Sequence, residues 1–121
     1  MDKAFLVVDD SAAIRQLVTL AVKGSGYDVV TASGPKEALS LLSSRKFDLV
    51  ITDLNMPETD GIEFIRMLRG MTDYKFTPII MLTTEVQDAK KREGRAAGAS
   101  GWIVKPFSAE QILDVVRRFL A

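Results

Sequence analysis

The sequence contains no cysteine and no histidine, so it lacks the residues that form disulfides and that bind most transition metals in proteins. Any metal ion would have to be held by oxygen ligands, which favours hard cations such as Mg²⁺. Net charge is missing as well, since 16 basic and 16 acidic residues cancel. Nothing in the composition therefore points to a nucleic-acid or membrane-surface partner.

Long apolar segments are also absent. No apolar run approaches the length of a membrane-spanning helix, and the N-terminus lacks the apolar core of a signal peptide. We therefore expect a cytoplasmic protein without a membrane partner. The length of 121 residues and the hydrophobic content of 47% suit one globular domain, and no linker or internal repeat divides the chain.

Five short apolar runs recur along the chain: "FLVV", "DVVTA", "DLVIT", "PIIML" and "GWIV". They lack the alternation of a half-exposed strand, which predicts strands buried on both faces of a parallel sheet. Segments with helical spacing lie between and after them. The predicted helices begin near Ser11, Pro35, Ile62, Gln87 and Ser108. Five strands alternating with five helices predict an α/β fold with right-handed crossovers.

The carboxyl ends of four of these strands carry charged or hydroxyl side chains. The first strand ends in Asp9 and Asp10, the third in Asp53, the fourth in Thr83 and the fifth in Lys105. In open α/β sheets this edge is where ligands bind. A cation held on oxygen ligands would neutralise the carboxylates. A phosphoryl group could receive a hydrogen bond from the hydroxyl and pair with the lysine, and a carboxylate can itself accept a phosphoryl group.

Four motifs occur in order over the whole length: "VVDDS", "DLVITDLNMPETDG", "IIMLTT" and "GWIVKPF". Together they resemble the receiver domains of response regulators, and in particular the stand-alone, CheY-like type used in bacterial chemotaxis. The resemblance implies a doubly wound, flavodoxin-like five-stranded parallel sheet with strand order 2-1-3-4-5. It also implies one receiver domain over residues 1–121 without an output domain, acting as a phospho-accepting switch rather than as a metabolic enzyme.

The same resemblance assigns chemical roles. Asp53 resembles the phospho-acceptor, which receives its group from a histidine kinase or from a small donor such as acetyl phosphate. Asp9 and Asp10 resemble the acids that hold Mg²⁺ together with Asp53 and the main-chain carbonyl of Asn55, and Mn²⁺ could replace this ion. Lys105 resembles the lysine that contacts the phosphoryl group, with a cis peptide bond after it.

Other family positions concern switching. Thr83 resembles the hydroxyl that moves toward the phosphoryl group. Asn55 and Glu85, two residues after Asp53 and Thr83, resemble the pair that sets a short phosphoryl lifetime in chemotaxis regulators. Trp102 occupies the place of the switch aromatic, usually Tyr or Phe, and the larger indole could limit its inward rotation. The implied output face comprises the fourth helix, fifth strand and fifth helix, roughly residues 86–121.

The resemblance implies a monomer that works with a histidine kinase and signals to a downstream protein such as a flagellar motor switch component. A stand-alone phosphorelay intermediate or phosphate sink, and a phosphorylation-independent interaction module, are the alternatives. Two other classes fit the residues less well. An FMN carrier needs a phosphate loop where "DDSAAI" places two negative charges, and a dehalogenase-type phosphatase has a second Asp where this sequence has Asn55.

Overall fold

The structure is a computed structural model that describes residues 3–23, 25–54, 60–84 and 88–120. Within these ranges, five strands alternate with five helices, and a short 3₁₀ helix, which the sequence did not predict, covers Thr72–Tyr74. The elements are β1 (Ala4–Val8), α1 (Ala12–Val22), β2 (Asp28–Ala32), α2 (Pro35–Ser44), β3 (Leu49–Asp53), α3 (Gly61–Arg69), β4 (Ile79–Thr83), α4 (Asp88–Ala97), β5 (Gly101–Val104) and α5 (Ala109–Leu120).

All strand pairs are parallel, and the sheet has the order β2-β1-β3-β4-β5. This confirms the predicted doubly wound, flavodoxin-like fold. The order reverses at β1, which has β2 on one side and β3 on the other. Because Val8 lies opposite Thr52 in the β1–β3 register, Asp9 and Asp53 come out side by side at this switch point, where α/β sheets bind their ligands.

Helices cover both faces of the sheet. The layer formed by α1 and α5 packs on one apolar cluster, and the layer of α2, α3 and α4 packs on the other. The three central strands are buried throughout, as predicted. The prediction was wrong for β2 and β5, which are partly exposed, because each is an edge strand that is covered less completely than the centre.

The predicted helix starts are largely confirmed. Ser11 caps α1, its hydroxyl accepting a hydrogen bond from the Ile14 amide at 3.3 Å, and Pro35 is the first residue of α2. Ser108 accepts from the Gln111 amide at 3.2 Å, just before α5. The predicted start of α4 at Gln87 lies outside the described residues. Among the helices of the described ranges, none is long and apolar enough to cross a membrane.

Arg69, at the end of α3, binds the chain just beyond α4. Its Nε and Nη2 atoms donate to the Gly98 carbonyl at 3.0 and 2.7 Å. Its Nη1 atom donates to the carbonyls of Tyr74 and Thr77 at 2.8 and 2.6 Å. Gly98 has φ +120°, a conformation that only glycine adopts readily, and this turn presents its carbonyl to the guanidinium. The C-terminal end of α4 is thereby tied to α3.

Candidate functional site

Three carboxylates meet at the carboxyl edge of the sheet. Ligand oxygens of Asp9, Asp10 and Asp53 all lie within 4.8 Å of one another. Asp9 and Asp53 are buried, with 0% and 4% of their surface exposed, whereas Asp10 is exposed. Like charges at this distance repel each other, and burial adds a desolvation cost. The cluster therefore requires a positive charge beside it.

Lys105 supplies one such charge. Its Nζ atom lies 2.8 Å from Oδ2 of Asp9 and 3.3 Å from Oδ1 of Asp53. The Lys105 amide donates to the Thr83 carbonyl at 2.8 Å, and the Lys105–Pro106 bond is cis, as predicted. Burial lowers the pKa of Lys105, but its hydrogen bond to Asp9 and the charges of Asp53 and Asp9 raise it more, so the net effect is a pKa raised above the ordinary lysine value. The lysine is therefore fully charged at neutral pH.

The main chain holds Asp9 in place. Its amide donates to the Ala32 carbonyl at 3.1 Å, and its Oδ1 atom accepts from the Ser11 amide at 2.9 Å. Its carbonyl accepts from Nη1 of Arg15 at 2.7 Å. Arg15 is not among the predicted site residues; the signal in the sequence is its position four residues after the cap Ser11, which places both on one side of the first turn. Asp9 is thus oriented before any ligand arrives.

Thr83 and Trp102 occupy different parts of the fold. Thr83 ends β4 and is buried, with 1% of its surface exposed, on the same sheet edge as Lys105. Trp102 lies two residues earlier in register, opposite Met81, and is half-buried on the α4 side of the sheet. The predicted lifetime residues, Asn55 and Glu85, lie outside the described residues.

The donor set fits a hard divalent cation. Asp9, Asp10 and Asp53 offer only carboxylate oxygens, the ligands that Mg²⁺ and Mn²⁺ prefer. A cavity of about 550 Å³ adjoins the exposed Asp10 and extends along the start of α2, where Ser33, Gly34 and Lys36 contribute to its lining. The acid cluster can therefore be approached from solvent on this side.

A family comparison identifies the kind of domain that this fold represents. The family model described as "Response regulator receiver domain" matches residues 5–117. The chain belongs to this family. The match confirms the resemblance to receiver domains seen in the sequence. Receiver domains of this family act in two-component signalling with histidine kinases.

Proteins similar to this receiver domain include a chemotaxis protein and transcriptional regulators. The structure of the chemotaxis protein CheY4 of Vibrio cholerae is 46% identical, with a TM-score of 0.94, and the match covers 98% of this chain and 99% of that one. The transcriptional regulatory protein ResD of Bacillus subtilis is 40% identical over 95% of this chain. The regulator PhoP of the same organism is 38% identical over 99%. The chain spans about half the length of these two curated relatives, 47% and 49% respectively.

Proposed function

We propose that this receiver domain accepts a phosphoryl group on Asp53 and works as a phosphorylation-dependent switch. The observation that carries the proposal is the position of Lys105, whose ammonium group lies between Asp9 and Asp53 at 2.8 and 3.3 Å. A buried carboxylate beside a cation, at the switch point of an open sheet, is suited to receive a charged group from outside.

The transfer forms one bond and breaks one bond. An oxygen of the Asp53 carboxylate attacks phosphorus, and the bond from phosphorus to the donor breaks. The electron pair leaves with the imidazole nitrogen of a kinase phosphohistidine, or with acetate when acetyl phosphate is the donor. Lys105 offsets charge on the phosphoryl oxygens, and the Thr83 hydroxyl donates a hydrogen bond to one of them.

Asp9, Asp10 and Asp53 would hold Mg²⁺, with the main-chain carbonyl of Asn55 as a further ligand. Bound there, the ion supplies positive charge that lowers the repulsion between the acceptor carboxylate and the incoming phosphoryl group. The protein's part is to hold Asp9 in place, through its hydrogen bonds with Ser11, Arg15 and Ala32.

The test is the intact mass of the protein after incubation with acetyl phosphate and Mg²⁺. We expect the wild type to gain one phosphoryl group and Asp53→Asn to gain none. Asp73→Asn is the matched control, because Asp73 is an exposed carboxylate outside the cluster, and it should behave as the wild type. Incorporation that persists in Asp53→Asn would refute the assignment of the acceptor.

For the cellular role we propose chemotaxis signalling through a flagellar motor switch component. The match to CheY4 over nearly the full length of both chains supports this role. The relatives that are transcriptional regulators instead support a role in a two-component pathway other than chemotaxis. Beryllofluoride, which imitates the phosphoryl group, should strengthen the binding of this receiver domain to the flagellar motor switch component of the same organism. Unchanged binding, together with phosphoryl transfer to a histidine phosphotransfer protein, would favour a phosphorelay intermediate instead.

A further inference from the structure

Trp102 is covered by two cations that both come from α4. The Nζ atom of Lys91 lies 5.0 Å from the indole ring, and the Cζ atom of Arg95 lies 5.1 Å from it. The two residues are four positions apart, so they share one face of the helix. Both distances fall within the range of a cation–π interaction, for which tryptophan is the best aromatic partner.

The close approach of α4 to the sheet depends on Gly94, which lies between the two cations in sequence. A Cβ atom at Gly94 would lie 2.2 Å from the sulfur of Met81, and Met81 is the β4 residue paired with Trp102. At Gly94, α4 therefore packs against the end of the Met81 side chain, with Lys91 and Arg95 over the indole.

The apolar anchor of α4 is small. Its buried residues among those described are Gly94 and Ala97, which remove little side-chain surface from water. The indole contacts therefore add to the few interactions that hold the helix against β5. A cavity of about 230 Å³ beside them is lined by Trp102 and by Asp88, Lys91, Arg92 and Arg95 of α4, so the ring has open space next to it.

We propose that Lys91 and Arg95 are positioning residues that hold Trp102 in its half-exposed position and couple α4 to β5. A movement that separates the indole from α4 has to break these contacts. The consequence for signalling rests on the proposed function: if this face carries the output, the two cations oppose the switch, and neutralising them makes the activated position of Trp102 easier to reach.

Trp102 is the only tryptophan of the chain, so its fluorescence reports on the contact directly. The variants are Lys91→Met, Arg95→Met and the double variant; methionine keeps an unbranched side chain and the helix propensity but removes the charge. Lys90→Met is the matched control, because Lys90 is adjacent on the same helix and instead pairs with Glu93 at 3.6 Å.

The first measurement is quenching by acrylamide, iodide and caesium without Mg²⁺ or phosphodonor, so it does not depend on the proposed function. We expect the acrylamide quenching constant to rise in the double variant, by about twofold. The preference for iodide over caesium should become smaller, because two of the three cations that line the cavity beside the indole are gone. Lys90→Met should match the wild type, and thermal melting checks that every variant is folded. Quenching in the double variant that equals the control overturns the proposal.

The second measurement is a titration with beryllofluoride in the presence of Mg²⁺. Two exposed cation–π contacts correspond to a population shift of about tenfold, so the midpoint should fall by about that factor in the double variant. An unchanged midpoint refutes the opposition to switching. If no protein, including the wild type, responds to beryllofluoride, the proposed function fails, and the quenching result alone decides whether the cations position Trp102.

Discussion

Lys105 lies between two buried carboxylates and offsets part of their mutual repulsion. Its ion pairs with Asp9 and Asp53 are partly shielded from water, with 16% of the lysine side chain exposed. The same ammonium group serves two purposes in the proposed reaction. It stabilises the cluster before phosphorylation, and it is already in place to bind the phosphoryl oxygens afterwards.

Removing this cation should separate phosphorylation from switching. We expect Lys105→Ala to accept a phosphoryl group from acetyl phosphate at a rate lower by about a hundredfold, because one preorganised charge is lost from the transition state. The Trp102 fluorescence response should disappear, while Mg²⁺ should bind more tightly, since the lysine no longer competes for the carboxylates. Mass spectrometry and Mg²⁺ titration check this, with the exposed Lys75→Ala as control. Weaker Mg²⁺ binding in Lys105→Ala would contradict the argument.

At the level of single residues, position at a strand end was sufficient to predict that Asp9, Asp53, Thr83 and Lys105 lie together. The reason is that parallel strands bring their carboxyl ends to one edge of the sheet. Arg15 could not be assigned in this way. Its contact with the Asp9 carbonyl depends on how α1 turns away from β1. The cations over Trp102 depend likewise on how closely α4 approaches the sheet.

Between elements, Gly61 fixes the distance from the start of α3 to the end of β3. A Cβ atom there would lie 2.3 Å from the Asp53 carbonyl oxygen and 2.5 Å from the Leu54 Cα. These are backbone atoms, so they cannot move aside as the end of a flexible side chain can. The Gly61 amide also donates to the Leu54 carbonyl at 2.9 Å. The glycine is therefore tied to the strand that carries Asp53.

Gly61→Ala should displace this strand end. We expect a loss of about 3 kcal/mol of unfolding free energy from overpacking, and slower phosphorylation in the fraction that remains folded, because Asp53 moves relative to Lys105. Urea unfolding and mass spectrometry measure the two effects. Gly34→Ala is the control, since a Cβ atom at Gly34 has nothing within 4 Å. Equal stability of the two variants would show that the strand end accommodates the clash.

The elements themselves were predictable because the pattern of apolar residues matches the strand and helix periods. The exposure of β2 and β5 does not follow from this pattern, since their apolar runs resemble those of the central strands; it follows from the strand order that the family resemblance implied. Only the strand order makes them edges. The 3₁₀ helix at Thr72–Tyr74 is three residues long, too short for any periodic signal.

Across the whole molecule, the buried Tyr74 joins two connections that are distant in sequence. Its hydroxyl accepts from the Phe47 amide at 3.2 Å and donates to the Arg45 carbonyl at 3.1 Å. The chain between α2 and β3 is thereby bound to the chain between α3 and β4. Burial raises the pKa of Tyr74; the hydrogen bond with Phe47 lowers it, and the charges of Asp73 and Asp48 raise it further, so the net pKa is above 10.0.

Tyr74→Phe should destabilise the fold by about 2 kcal/mol, because it leaves the buried Phe47 amide without its acceptor. The pH dependence has a defined sign. A raised pKa means that the folded state favours the protonated phenol, so this stabilisation is fully present below pH 10.0 and is lost as the pH rises through the folded-state pKa. Urea unfolding across this range should show a smaller alkaline loss in Tyr74→Phe than in wild type or in the control Tyr27→Phe. An equal loss of stability at alkaline pH in Tyr74→Phe and in wild type would show that groups other than Tyr74 cause the loss.

Arg69 donates two hydrogen bonds to the Gly98 carbonyl and so holds the C-terminal end of α4 in place. A tilt of the helix would therefore pivot near Gly98. The helix has ten residues and is about 15 Å long at 1.5 Å per residue, so a tilt of roughly 10° about Gly98 would carry Asp88 through about 2–3 Å. Arg95, three residues from Gly98, would move less than half as far as Lys91, which is seven residues from Gly98. The cation–π contact between Lys91 and the indole is therefore the first to break when the helix tilts.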